Sequence, residues 1–188
     1  TLIIAYKLEN DKEKSHAIMR MRVSLSDAEK GLDESTSQTR GDRVAGNVSQ
    51  VSEDKTPADQ ASIACGTNGC FVVWHVEAGG ASIAKIDPVA NQVVWRKKLS
   101  DKGGHPSLGV NNGEVAVAWY ERPSIKFTTL NDAGPVLPPA SVFKINDPSV
   151  PRPSISGGAT KNEWYMAWQD SETPKGVAEI YASRLTCR

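Results

Sequence analysis

The sequence predicts an all-β protein, a β-propeller built from four-stranded antiparallel blades. The first observation is a repeat, in which a Ser-led strand is followed by a strand that ends in tryptophan. The three copies are Ser62–Trp74, Ser107–Trp119 and Ser154–Trp168. The second is the spacing of the tryptophans, 45 and then 49 residues, which is in the range of blade-type repeats. The third is the alternation of apolar and polar residues in short runs, as in half-buried strands.

One complete unit divides into four strands, which we label A to D. Turns rich in Gly, Pro, Asn and Asp separate them, and four antiparallel strands in about 45 residues make one blade. In the best-defined unit the predicted strands are Ser62–Cys65, Cys70–Trp74, Ala81–Ile86 and Val93–Leu99.

The same division extends over the whole chain, which we interpret as one propeller segment, residues 1–188. Its blade-like units are approximately 1–60, 61–104, 105–150 and 151–188. In the first unit, Thr1–Tyr6 matches strand B, His16–Val23 matches strand C, and Val44–Val51 could supply strand D. The first unit therefore lacks strand A, and the last lacks strand D.

Two missing strands predict that the chain is an incomplete arc of a larger ring. A propeller normally closes so that no long strand edges remain, and further sequence or a second chain would complete it. Two alternatives stay open: a self-closed four-bladed ring with two thin blades, and a β-sandwich. The polar segment Ser24–Arg43 is long for a turn, which is typical of a functional or mobile loop.

Composition narrows the class of partner. Lys plus Arg and Asp plus Glu each number 22, so the chain lacks the positive charge that generic nucleic-acid binding requires. No apolar run approaches the length of a membrane-spanning helix. We therefore predict no nucleic-acid partner and no membrane span.

The cysteines point to an oxidising compartment. Cys65 and Cys70 enclose the turn sequence Gly-Thr-Asn-Gly between two strand-like runs, and paired hairpin positions lie close enough for a disulfide. We favour that disulfide and hence a secreted or periplasmic protein; two free thiols, or half of a zinc site, are the alternatives. Cys187 is left over, and we expect a link to a second chain or to further sequence.

The segment Ile63–Trp74 (Ile-Ala-Cys-Gly-Thr-Asn-Gly-Cys-Phe-Val-Val-Trp) and the segment Gly176–Leu185, which contains Ile-Tyr-Ala-Ser-Arg-Leu, carry a family resemblance. The chain resembles secreted bacterial β-propeller repeats of the myxobacterial type, outside Ser24–Gln60. The resemblance implies a propeller with a disulfide inside the blade and leaves the activity open. The Asp-box of sialidases and the signature of WD40 repeats are absent from the sequence.

The candidate ligand-binding residues follow the aromatic end of each strand B, where loops on a rigid scaffold concentrate function. The predicted ligand-binding set is His75, Glu77, Tyr120, Glu121, Arg122, Gln169 and Asp170, and the same loops hold Lys7, Glu9, Asn10 and Glu172. The alternative is that these turns are polar only because they face solvent. His75 could be a general base or an ordinary turn residue.

Other chemistry has weaker signals. No catalytic, metal or phosphate-binding motif occurs, so no cofactor, no metal and no catalytic residue are predicted, and His16 and His105 lack metal-ligand spacing. Acidic residues leave calcium binding open; they are Asp11, Glu13, Asp27, Asp33 and Glu34. The repeat tryptophans favour packing between blades over sugar stacking. Trp95 and Trp164 fall outside the repeat and are candidates either for exposed aromatics or for covering a blade edge.

These observations predict an extracellular, non-enzymatic, lectin-like binding or scaffold module that recognises a carbohydrate or a protein on its loop face. The first alternative is part of a secreted hydrolase, associated with glycosidase or peptidase activity, with the active site shared with missing blades or a second chain. The second is a purely structural interaction domain.

Overall fold

The computed structural model of the chain describes residues 2–10, 15–23, 49–53, 57–77, 79–90, 92–136, 138–146, 151–171 and 176–187. These residues form strands and turns and no helix. A search of the same residues for a helix long and apolar enough to cross a membrane finds none. The segment Ser24–Arg43, the five candidate calcium ligands and Glu172 lie outside the described residues.

Fifteen strands in the described residues form four antiparallel sheets. The first contains β1 (Leu2–Asn10), β2 (Ser15–Val23) and β3 (Ser49–Gln50). The second contains β4 (Ala58–Gly66), β5 (Gly69–Val76), β6 (Ala81–Asp87) and β7 (Gln92–Ser100). The third contains β8 (Gly104–Asn111), β9 (Glu114–Glu121), β10 (Ser124–Asn131), β11 (Gly134–Pro135) and β12 (Ala140–Lys144). The fourth contains β13 (Ser154–Gly157), β14 (Glu163–Asp170) and β15 (Glu179–Thr186).

The strand order confirms the predicted blades. The second sheet runs β4-β5-β6-β7, which is A-B-C-D, and in the third sheet β12 pairs with β10 as strand D. Strand β4 begins at Ala58, four residues before the predicted start, because a bulge between Asp59 and Ser62 lets the pairing with β5 continue. The division of residues 1–188 into blade-like units stays a prediction.

Apolar seams join the sheets side by side. Because successive side chains of a strand point to opposite faces, Val72 and Trp74 pack toward the first sheet, and Phe71 and Val73 pack toward the third. Trp119 lies in the same seam as Phe71, and Trp168 packs between the third and fourth sheets. The three repeat tryptophans are at most 8% exposed, so the prediction that they pack between blades is confirmed.

Of the two tryptophans outside the repeat, Trp164 contradicts the expectation of exposure. Its side chain is completely buried and meets Phe127 edge to face at 5.9 Å between ring centroids. It belongs to the seam between the third and fourth sheets. The reason is the alternation of side chains along β14, which directs Trp164, Met166 and Trp168 to one face. Trp95 is half-buried and donates from Nε1 to the carbonyl of Asp132 at 3.0 Å.

The innermost strands approach each other closely. A Cβ at Gly66 would lie 2.1 Å from the carbonyl oxygen of Gly113, and the same oxygen accepts a hydrogen bond from the backbone N–H of Thr67 at 2.7 Å. Only a residue without a side chain permits this approach. The sheets contact one another in chain order, with β1 and β2 against β4, β4 against β8, and β8 against β13, so they form an arc of blades.

The predicted disulfide is confirmed. Cys65 and Cys70 are directly paired residues of the hairpin formed by β4 and β5, and their sulfurs are bonded at 2.00 Å. The pair therefore consists neither of free thiols nor of zinc ligands.

Candidate functional site

The inner strands of the second, third and fourth blades share one position, two residues before the repeat serine. Gln60, His105 and Arg152 occupy it. Gln60 and His105 both have a φ of 53°, and each lies within a bulge at the beginning of its inner strand. Bulges redirect side chains next to binding sites. Because β4, β8 and β13 contact one another in that order, the three positions follow each other around the arc.

A hydrogen bond and a ring contact connect the first two of these positions with their neighbours across the seam, and Arg152 acts on His105 electrostatically. Nδ1 of His105 is hydrogen-bonded to Oε1 of Gln60. The ring of His105 stacks on His75 of β5, with centroids 5.2 Å apart and planes 23° apart. Lys7 of β1 places Nζ 3.6 Å from Oδ1 of Asp59. We call this set the inner-strand cluster: Lys7, Asp59, Gln60, His75, His105 and Arg152.

The hydrogen-bond partners of the two imidazoles determine which ring nitrogen carries the proton. The carbonyl oxygen of Gly80 can only accept, so Nδ1 of His75, 3.0 Å away, is the donor. In the same way Nδ1 of His105 donates to the amide oxygen of Gln60. In the neutral rings Nε2 therefore carries the lone pair. Gly104 makes room for this arrangement, since a Cβ there would lie 3.0 Å from Nδ1 of His75.

The electrostatic surroundings of His105 are positive on balance. Burial lowers the pKa of His105 below its ordinary value, and the nearby His75 and Arg152 lower it further, whereas Asp59 acts in the opposite direction. His105 is therefore mainly neutral at pH 7.

The cluster can form hydrogen bonds of several kinds with a polar ligand. It offers imidazole lone pairs, an amide, a guanidinium and one carboxylate, Asp59. The described residues contain no group of three or more histidines, cysteines or acids that could hold a metal ion. Its lone pairs and donors can bind hydroxyl and charged groups of a ligand.

The structure places His75 and Lys7 of the predicted loops in this cluster, and it gives two of the predicted residues structural partners. Glu121 accepts hydrogen bonds from Oγ of Ser100 and from Nε1 of Trp119. Asp170 is buried and accepts from the backbone N–H groups of Asn146 and Ser171. Both acids stand two residues after a repeat tryptophan.

The other members of the predicted set lie in different surroundings. Glu77 and Arg122 are exposed, Gln169 is half-buried, and Tyr120 packs against the seam between the third and fourth blades. The side chains of Glu9 and Asn10 are outside the described part of the chain. A ligand-binding role for these residues stays a prediction.

Sequence reasoning missed Asp59, Gln60 and Arg152 and set His105 aside. The available signal was the constant offset of Gln60, His105 and Arg152 from the repeat serine. Their residue types differ, so a search for identical residues in the repeat overlooks them.

A cavity of about 500 Å³ lies beside the cluster's blades, at the seam of the first and second sheets. It is lined by Glu53, Trp74, Val76, Gly79, Ser82, Arg96, Lys97, Lys98 and Asp101. All three of its cations have structural partners. Arg96 donates to the carbonyl of Val51 at 2.6 Å, Lys97 donates to the carbonyl of Ala133, and Lys98 pairs with Asp101.

Cys187 is a free, partly buried thiol in this structure. Burial raises its pKa, and the nearby Glu114 raises it further. The thiol is therefore protonated at neutral pH and poorly nucleophilic. The predicted link from Cys187 to a second chain stays a prediction.

Solved structures resemble the chain in fold. A protein of unknown function from Dyadobacter fermentans is 15% identical with a TM-score of 0.68, over 99% of this chain and 50% of that one. A thermostable family-43 glycoside hydrolase is 8% identical with a TM-score of 0.56, over 99% and 68%. An α-L-arabinofuranosidase from Lactobacillus brevis is 10% identical with a TM-score of 0.50, over 99% and 69%.

The chain thus spans about half the length of the Dyadobacter protein. No family model matches the sequence, and neither does any curated protein. Identities this low establish the fold alone. The structural similarity to these proteins, together with the four antiparallel sheets, shows that the chain is a β-propeller forming an arc of blades.

Proposed function

We propose that this chain is part of a carbohydrate-binding propeller of the glycoside hydrolase type, and that the inner-strand cluster contributes to its sugar site. The observation that carries the proposal is the convergence of polar side chains from four successive blades at the beginning of the inner strands. Lys7 comes from the first blade, His75 from the second, His105 from the third and Arg152 from the fourth.

The chemistry of the cluster suits a sugar. Pockets that bind small polar ligands combine a rigid scaffold with a few convergent hydrogen-bonding groups, and sugar hydroxyls can donate to the Nε2 lone pairs of His75 and His105. The fold adds support, because two of the similar solved structures are glycoside hydrolases by name.

Hydrolysis requires more than this cluster supplies. Most glycosidases use two carboxylic groups about 5 to 9.5 Å apart, and the cluster contains one, Asp59. We therefore assign binding to this chain and expect the second carboxylate from sequence beyond it or from a second chain. The same observation favours the second candidate, a propeller that binds sugar without hydrolysing it.

The disulfide supports a location outside the cytosol, because structural disulfides persist in oxidising compartments. We propose that the protein is secreted or periplasmic and that it belongs to the secreted bacterial propeller repeats it resembles.

Titration calorimetry of the chain with arabino-oligosaccharides tests the proposal. We expect saturable binding, and we expect Gln60→Ala and His105→Ala each to weaken it about two- to tenfold, the equivalent of one or two hydrogen bonds. Lys144→Ala, at an exposed position of the outer strand β12, is the control and leaves binding unchanged. Binding that is insensitive to both cluster variants would contradict the site, and release of free sugar by the chain would favour hydrolysis over binding alone.

A further inference from the structure

We propose that the sugar bound by the inner-strand cluster carries a carboxylate, as a uronic acid does, and that Arg152 and His105 bind this group. The inference rests on the proposed function and specifies its ligand.

The first argument is the charge of the cluster. Lys7 and Asp59 lie 3.6 Å apart and offset each other. Arg152 is exposed, and no carboxylate of the described part of the chain lies within 4.0 Å of its guanidinium. With His105 mainly neutral, the two cations of the cluster, Lys7 and Arg152, outnumber its one carboxylate, Asp59. A neutral sugar would leave this excess charge unchanged, whereas a uronic acid would neutralise it.

The second argument is the position of the guanidinium. Arg152 stands where Gln60 and His105 stand in the preceding blades, and the side chains of Gln60 and His105 already meet across their seam. Amide, imidazole and guanidinium thus follow one another around the arc. The planar fork of arginine matches a carboxylate with two parallel hydrogen bonds. The imidazole of His105 beside it can donate to the same carboxylate, and the amide of Gln60 can bind a hydroxyl of the same sugar.

The third argument is the proton that His105 can take up. The charged and titratable groups that act on its ring are His75 of β5, Arg152 before β13 and Asp59 of β4. In the free protein burial, and after it the neighbouring His75 and Arg152, hold the pKa of His105 low. A bound carboxylate reverses that balance and favours the imidazolium, so binding becomes tighter as the pH falls. Uptake of one proton on binding can change the affinity by at most about tenfold per pH unit.

The test compares an α-1,4-linked oligogalacturonate with the same oligosaccharide after reduction of its carboxyl groups, by titration calorimetry of the chain. We expect the acidic form to bind at least about tenfold more tightly. Arg152→Gln should abolish the preference, and Lys144→Gln should preserve it. His105→Gln should remove the increase in affinity between about pH 7 and about pH 5. This variant is compatible with the backbone, because Gln60 has the same φ of 53° at the equivalent position.

The outcomes distinguish the proposed recognition of a carboxylate from the proposed carbohydrate binding on which it rests. Equal or tighter binding of the reduced form would overturn the carboxylate proposal and leave carbohydrate binding intact. Absence of binding by both forms and by neutral arabino-oligosaccharides would overturn both. Circular dichroism and the melting temperature of each variant confirm that a loss of affinity is not a loss of fold.

Discussion

Asn111 connects the third blade to the fourth by hydrogen bonds. We expect its replacement to lower the local stability of the fourth blade selectively. Its side chain is 4% exposed and lies at the end of β8. Nδ2 donates to the carbonyl of Thr160 at 2.8 Å and to the carbonyl of Glu163 at 2.6 Å. Asn111→Ala removes both hydrogen bonds, which cross the seam at the beginning of β14.

The expected cost follows from what remains at the two acceptors. The carbonyl of Glu163 keeps the N–H of Gly158 at 2.7 Å, and the carbonyl of Thr160 keeps the N–H of Glu163 at 3.2 Å. Neither oxygen is left buried without a donor, so each lost bond costs its net value of about 0.5–1.5 kcal/mol. We therefore expect the free energy of unfolding to fall by about 2 kcal/mol.

Urea unfolding and hydrogen exchange measure the two aspects of this prediction. Unfolding yields the change in free energy, and exchange of the β13 and β14 amides should accelerate up to about thirtyfold. Val110→Ala, at the neighbouring 38% exposed side chain, is the control and should change the free energy by less than about 0.5 kcal/mol. Unchanged exchange in β14, or equal effects of the two substitutions, would refute the proposed role of Asn111.

Three further predictions concern the disulfide, a seam glycine and the pH dependence of stability. Replacing both Cys65 and Cys70 by alanine should cost about 2 kcal/mol, because the bridge closes a short loop in the unfolded chain, with a sequence separation of 5; reductant should destabilise the natural chain equally in urea unfolding and leave the variant unaffected. Gly66→Ala should cost about 1–3 kcal/mol through overpacking against the carbonyl of Gly113, and a melting temperature equal to that of the natural chain would argue against this close approach. The folded protein lowers the pKa of His105, chiefly by burial. The contribution of His105 to the free energy of unfolding should therefore be fully present above about pH 6.5 and should be lost as the pH falls below it. His105→Gln should flatten that part of the curve, and a curve of unchanged slope would assign the pH dependence to other groups.

Local chemistry explains why much of the fold was predictable. Strand periodicity, turn residues and the pairing of Cys65 with Cys70 depend on residues a few positions apart, so they are visible along the chain. The repeat extended this local information, because one recognised blade predicted the strands of the next. Strand lengths were underestimated where bulges at Asp59 and Gly104 let pairing resume, since a bulge has no distinct sequence signal.

The candidate site was only partly predictable, because its contacts join residues about one blade apart. His75 was identified from its place after strand B, but its partner His105 is 30 residues further along the chain. Glu121 and Asp170 looked like ligand-binding residues because they are charged and follow a strand. Their hydrogen bonds to the preceding blade became evident only when the blades were placed side by side.

The amino-acid sequence alone determined the four-stranded module, its repetition and the hairpin disulfide, because hydrophobic period and turn chemistry act over a few residues. The tertiary structure decided which polar side chains meet. Gln60, His105 and Arg152 form one surface because neighbouring blades pack tryptophan into their seams and bring their inner strands into contact, and that distance in space is not encoded in the spacing of the residues.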